Sequence, residues 1–203
     1  MLQYYSERPY LFLIFAVLIA LTVFVCIMAG RASSRRYKAN ERIMKKLKEE
    51  NELRNEFAVL TETLAEKSEP EKLFKGVALN LQKRVSDAED MIAEFNSLTC
   101  EQREIYALSV VAEDGSEKLS NFFRASVQPL TGAALDAVKH IFGGKAAEIF
   151  ESEFNSFDPD NETASVIPAE IEKKDAEFAS ILPENELCRK AGMFIKEKFN
   201  KFI

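Results

Sequence analysis

Few residues in this chain are of types that do chemistry. There is one histidine, His140, and there are three cysteines, Cys26, Cys100 and Cys188. A lone histidine argues against a histidine-based metal cage and against a conventional catalytic triad. The cysteines are too scattered for a disulfide lattice or a zinc spacing, and Cys100 or Cys188 becomes reactive only where a cationic neighbour lowers its pKa. Glu170 with Glu172, and Glu151 with Asp158, are carboxylate pairs of the kind used for acid and base catalysis, yet their spacing is that of any acidic surface. Asp158, Asp160 and Glu162 alternate as in a calcium loop, but DPDNETASVIPA lacks the glycine at its sixth position and the terminal glutamate. Gly143-Gly144-Lys145 lacks the flanks of a phosphate loop. No catalytic, metal-ligating or cofactor-binding residue is assigned on these grounds. The expectation is a protein that is not an enzyme and carries no cofactor.

Charge is the one strong chemical asymmetry. Residues 99–203 hold 19 acids against 12 Lys and Arg, whereas residues 31–98 hold 13 against 14. Within 145–187 there are 12 acids and only Lys145, Lys173 and Lys174, a net of −9. Such a field attracts a basic partner and repels nucleic acid, while its simplest role is a solvated surface that keeps a domain soluble.

The elements that must carry these residues begin with an apolar run. Pro9 to Gly30 contains no charge, and as a helix its 22 residues would reach about 33 Å, enough for a hydrocarbon core of about 30 Å. Eight cations and the single Glu41 follow between Arg31 and Lys48, while Arg8 is the one cation before the run. This bias predicts a single-pass helix in the cell membrane, with the amino terminus outside and the rest cytoplasmic. Tyr4, Tyr5, Tyr10 and Tyr37 are placed to sit at the headgroups, and the basic cluster is placed to meet anionic lipid.

Tyr37 to Lys67 has neither Gly nor Pro and carries Ile43, Leu47, Leu53, Phe57, Leu60 and Leu64 on a narrow stripe, which predicts a long amphipathic helix. Ser68-Glu69-Pro70 should break it, because proline removes a backbone donor and disfavours helix in the residue before it. Phe74, Ala78, Leu81, Val85, Ala88, Ile92 and Phe95 then alternate in steps of four and three, as in a heptad seam. Two outcomes are open for this connector. It forms a coiled-coil stalk that dimerises the protein, or its stripe packs within the chain. Gly76 and the polar Glu50 weaken the coil.

The remainder predicts helices and no strands. Thr99 and Gln102 form a capping box ahead of Ile105, Tyr106, Leu108 and Val111. Ser116 and Thr131 are candidate caps for two further helices, the second ending at Gly143-Gly144. Lys145 to Phe157 is another helix, and Asp158 to Pro168 is a polar loop. Ala169 to Leu182 and Glu184 to Ile203 complete the set. With 16 phenylalanines and no tryptophan, phenyl rings must dominate the core.

Several short stretches carry a family resemblance. Leu98-Thr99 with Arg103 and Tyr106, Phe122-Phe123, Ala133-Ala134-Leu135, Ile141-Phe142-Gly143 and the run from Ala146 to Glu151 resemble the helical domain shared with the DNA-mimic proteins of bacteria. Asp175 to Phe178 and Phe194-Ile195 resemble its carboxy-terminal part, so the likeness covers about residues 98–203. It implies a compact helical fold and a binding module rather than an enzyme, since the family's named member is an acidic dimer that presents carboxylates to a repressor as duplex phosphates would. Where that family has Asn-Gly-Gly, this chain has Asp114-Gly115-Ser116. The apolar run and the connector lie outside the likeness.

Together these observations predict an all-α protein in three parts. Residues 1–30 form a tail and transmembrane helix, 31–97 a basic juxtamembrane segment and helical connector, and 98–203 an acidic helical domain. The expected partner is a basic, DNA-binding protein, met by Glu151, Glu153, Asp158, Asp160, Glu162, Glu170, Glu172, Asp175 and Glu177. Direct nucleic-acid binding is not expected. The alternative is a membrane-tethered scaffold that self-associates, as a homodimer, through the connector.

Overall fold

The structure, a computed structural model, describes residues 17, 18, 21, 22, 40–115, 117–158, 160 and 165–203. The chain divides into two compact units, 1–49 and 50–203. Most of the apolar run, the residues 31–39, the Ser116 cap and much of the 158–168 loop lie outside the described residues. Among the described residues no helix is long and apolar enough to cross a membrane, and none forms a strand.

In the first unit Val17, Leu18, Leu21 and Thr22 are helical and exposed, and the Thr22 hydroxyl donates to the Leu18 carbonyl at 2.8 Å. Residues 40–49 are also helical. Ile43 and Leu47 are more than half exposed there, so the forward part of the predicted stripe is not core within this unit.

The second unit is entirely helical in its regular elements. Helical residues 50–56 end at Phe57, and they are followed by α1 (Glu62–Lys67), α2 (Pro70–Ser86), α3 (Met91–Ser97) and α4 (Cys100–Asp114). Next come α5 (Leu119–Ala125), α6 (Leu130–Ala137), a π-helical turn (Val138–Phe142) and α7 (Gly144–Phe157). Helices α8 (Pro168–Ile181) and α9 (Glu184–Glu197) and a 3₁₀ turn (Phe199–Lys201) close the unit.

The connector is therefore not one helix followed by another. The first helix stops at 56 because Phe57 turns inward to 2% exposure, and Asn80 Nδ2 donates to the freed Arg54 carbonyl at 3.0 Å. Ser68 ends α1 and Pro70 opens α2, in agreement with the sequence. The heptad helix breaks at Asp87 to Asp90, where Asp90 Oδ1 accepts from the amides of Ile92 and Ala93, both at 3.0 Å, and starts α3. Phe74, Ala78, Leu81 and Val85 are all buried, whereas Ile92 is 61% exposed.

That stripe packs within the chain. Helix α9 lies along α2, and Lys196 Nζ donates to the carbonyls of Glu66 at 3.0 Å and Ser68 at 2.6 Å, stapling the last helix to the α1–α2 corner. The compact unit consequently begins at residue 50 rather than 98, because the connector supplies core to the acidic domain.

The capping box of α4 forms as expected, with Thr99 Oγ1 accepting from the Gln102 amide and Gln102 Oε1 accepting from the Thr99 amide, both at 3.2 Å. Thr131 is not a cap. Helix α6 starts two residues earlier than such a cap would place it, at Leu130 behind Pro129, and Thr131 is buried inside it. Gly143 and Gly144 do adopt positive φ at the turn into α7. Phenyl rings fill the core between α5, α7 and α8, where Phe123 meets Phe122, Phe150 and Phe157 at centroid distances of 5.1, 5.0 and 5.8 Å.

Candidate functional site

Three carboxylates lie where apolar side chains belong. Glu104, Glu153 and Asp175 are 5%, 0% and 4% exposed, an uncommon placement for groups whose charge is costly to bury. Each sits in an apolar helical stripe: Ile149, Phe150, Glu153 and Phe157 on α7, and Ile171, Asp175, Phe178 and Leu182 on α8 with its cap. Glu104 precedes Leu108 by one turn on α4. This interruption of a stripe by an acid is the signal in the sequence that marks buried acids, and counting net charge passes over it.

Asp175 is fully partnered. Its Oδ1 accepts from the Ser120 amide at 2.7 Å and its Oδ2 from the Ser120 hydroxyl at 2.8 Å. It thereby supplies the missing cap of α5, whose own N-cap residue, Lys118, makes no capping bond with its side chain. Glu153 has no hydrogen-bond partner on either oxygen. Burial, with Asp175 as a second cause, pushes its carboxyl up to about 8, against the weaker pull of Lys174 and Arg124. At neutral pH it is mostly an uncharged acid.

Glu104 Oε1 lies 2.6 Å from His140 Nδ1 and its Oε2 has no partner. Burial raises its carboxyl above the ordinary range, opposed by His140 and reinforced by Glu101 and Asp136. The His140 side chain itself is 65% exposed.

The nine acids expected to meet a partner are thus divided. Glu153 and Asp175 belong to the core, because their helical positions face inward, and they are withdrawn from that surface. Glu151 pairs with Lys139 at 2.7 Å, Glu172 with Lys118 at 3.8 Å and Glu177 with Lys145. The Lys145 contact holds the Glu177 carboxyl below its usual range. Glu170 and Asp160 are exposed, and Asp158 is half-buried with its Oδ1 accepting from the Asp160 amide at 3.1 Å. Glu162 lies outside the described residues.

The structure adds an acidic site that net charge along the sequence did not single out. Glu113, Asp114 and Glu117, with Asn121 and Ala125, line an open cleft of about 340 Å³ between the end of α4 and the face of α5. Lys118, next in the chain, pairs with Glu172 in the second turn of α8. Among the described residues no group of histidine, cysteine and carboxylate side chains is placed to hold a metal ion. Burial pushes the Cys188 thiol up to about 11, which makes it unreactive, while Cys100 is exposed and its Sγ takes a contact from Arg103 Nη2 at 3.3 Å. No protein-family model, no curated protein and no solved structure matches the chain.

Proposed function

We propose that this chain is a membrane-anchored, non-enzymatic binding module whose cytoplasmic helical unit presents an acidic face to a basic, DNA-binding protein. The observation that carries the reading is the carboxylate cleft of Glu113, Asp114 and Glu117 between the end of α4 and α5. Carboxylates gathered on a rigid helical frame raise the local concentration of a cationic partner and speed its encounter more than they add affinity. The resemblance of residues 98–203 to the DNA-mimic proteins supports the same class of partner. Among the nine acids first expected to act, Asp160 and Glu170 are exposed and Asp158 is half-buried, whereas Glu151, Glu172 and Glu177 pair with lysines.

Anchoring rests on the uncharged run from Pro9 to Gly30 and the cations that follow it, with the amino terminus outside. Exposed helical Val17, Leu18 and Leu21 suit lipid, and the Thr22 hydroxyl bonded to the Leu18 carbonyl is the form a hydroxyl takes inside an apolar phase. The self-associating scaffold loses most of its motive, because Phe74, Ala78, Leu81 and Val85 are spent on the core.

The test uses the full chain in lipid nanodiscs and a synthetic Arg- and Lys-rich helical peptide. Binding should weaken at least tenfold in the triple variant Glu113→Gln, Asp114→Asn, Glu117→Gln, and should weaken steeply as salt rises, on the order expected when a Debye length shrinks below ~10 Å. Equal affinity of parent and triple variant would retire the acidic-face reading.

A further inference from the structure

A second cleft, with no residue in common with the one above, lies where α4 and α6 begin. Its volume is about 260 Å³; Phe95, Pro129 and Ala133 give it apolar wall, while Glu104, Asp136 and Gln128 add polar groups. Two features mark it as built rather than incidental. First, Glu104 is more than nine-tenths buried, one of its oxygens is engaged by His140, and the other has no partner. Folding has already removed this carboxylate from water, so a donor that reaches it gains a charge-assisted bond without a new desolvation cost on the protein side. Second, the Gln128 side chain lies over Gly132 at the cleft edge, where a Cβ would come within 2.8 Å of its Oε1, so the amide stands beside the cleft.

The charges select the ligand. Glu101 and Asp136 both act on Glu104, and the one cation in the wall, Arg103, is turned to Cys100 Sγ at 3.3 Å. We infer that this cleft binds an organic cation, an ammonium or guanidinium group on a short apolar stem. Glu104 and Asp136 accept from the cationic head, and Phe95 and Pro129 cover the stem, as apolar surface does for lysine and arginine stems elsewhere. Such a group is available as a free alkylamine or as a basic side chain of a bound protein.

His140 is the only histidine in the chain, so its imidazole NMR signal reports on this cleft without ambiguity. The full chain in detergent micelles is titrated with butylammonium, with butylguanidinium and with the blocked peptide Gly-Gly-Arg-Gly-Gly. A saturable shift of the His140 signal is expected, weakened at least tenfold by Glu104→Gln and at least threefold by Asp136→Asn. Asp136 is exposed, so its substitution tests the site even where Glu104→Gln fails to fold. A response to the free cations alone assigns a small-molecule site, and a response to the peptide assigns a side-chain site. The triple variant of Glu113, Asp114 and Glu117 should leave the shift intact, which separates this site from the acidic-face reading. No saturable shift with any probe, or a shift unchanged by both Glu104→Gln and Asp136→Asn, overturns the proposal.

Discussion

Phe57 packs on the bare α-carbon of Gly76: a methyl group placed there would lie 2.2 Å from Phe57 Cδ2 and 2.6 Å from Cγ. Glycine in the middle of α2 costs helix stability of about 1 kcal/mol relative to alanine, and here it admits the ring that ends the first helix and turns the chain toward α1. A residue that looks like a weakness in a coiled-coil seam is the contact that folds the connector onto the core.

Alanine at Gly76 should therefore destabilise despite its better propensity. Overpacking costs about 1 to 3 kcal/mol and the propensity gain offsets about 1 of it. Alanine at Gly192 should cost more, about 3 kcal/mol or above, because its Cβ would lie 1.9 Å from the Pro70 carbonyl oxygen and backbone cannot rotate aside as a ring can. Urea unfolding of the full chain in detergent checks the order; Gly192→Ala unfolding at or above the midpoint of Gly76→Ala would refute the close α2–α9 approach.

Glu153 makes stability depend on pH in a direction opposite to most native carboxylates. Its folded pKa, pushed to about 8 chiefly by burial, stands above the ordinary 4.5. The folded state therefore holds a proton that the unfolded state releases, so the contribution is fully present below about 4.5 and is lost as pH rises through about 8. Glu153→Gln should match the parent at pH near 5 and exceed its stability above pH 8 by roughly 2 to 4 kcal/mol. Parallel stability profiles for the two proteins across this range would show that Glu153 finds compensation once charged.

Asp175 is the opposite case, a buried acid that is satisfied. Removing it leaves the Ser120 amide and hydroxyl without acceptors inside the core, so Asp175→Ala should cost about 2 to 3 kcal/mol. Asp175→Asn keeps one acceptor and should cost less. Hydrogen exchange at the Ser120 amide checks this locally: protection should fall sharply in Asp175→Ala, and unchanged protection would mean that another group caps α5.

The sequence made the helices and their stops legible where a local rule acts alone. Thr99 and Gln102 cap α4, Pro70 starts α2 and the paired glycines end the turn before α7, all without help from distant residues. What it hid depends on partners far along the chain. Thr131 satisfies the local pattern of a cap, yet Pro129 fixes the helix start ahead of it. Phe57 lies on a plausible stripe, yet Gly76 draws it into a turn. Net charge pointed to acids between 145 and 187 as one surface, but Glu153 and Asp175 occupy inward helical positions, and Lys139, Lys118 and Lys145 take up three more of that set. The Glu113 cleft was legible only as ordinary acids, because its shape arises from the approach of α5 to the end of α4.

The heptad stripe offers a direct choice between stalk and core. In a stalk, Leu81 and Ile92 would be equivalent seam positions and aspartate at either would abolish self-association while the acidic unit stayed folded. In this fold they are not equivalent, since Leu81 is 8% exposed in contact with the main core and Ile92 is 61% exposed on α3. Leu81→Asp buries an unpaired charge and should unfold residues 50–203 or cost about 4 kcal/mol, whereas Ile92→Asp should stay within about 0.5 kcal/mol of the parent. Circular dichroism and urea unfolding of the two variants decide it. Equal tolerance of both substitutions, joined to a loss of oligomer in both, would return the connector to a stalk and remove α2 from the core.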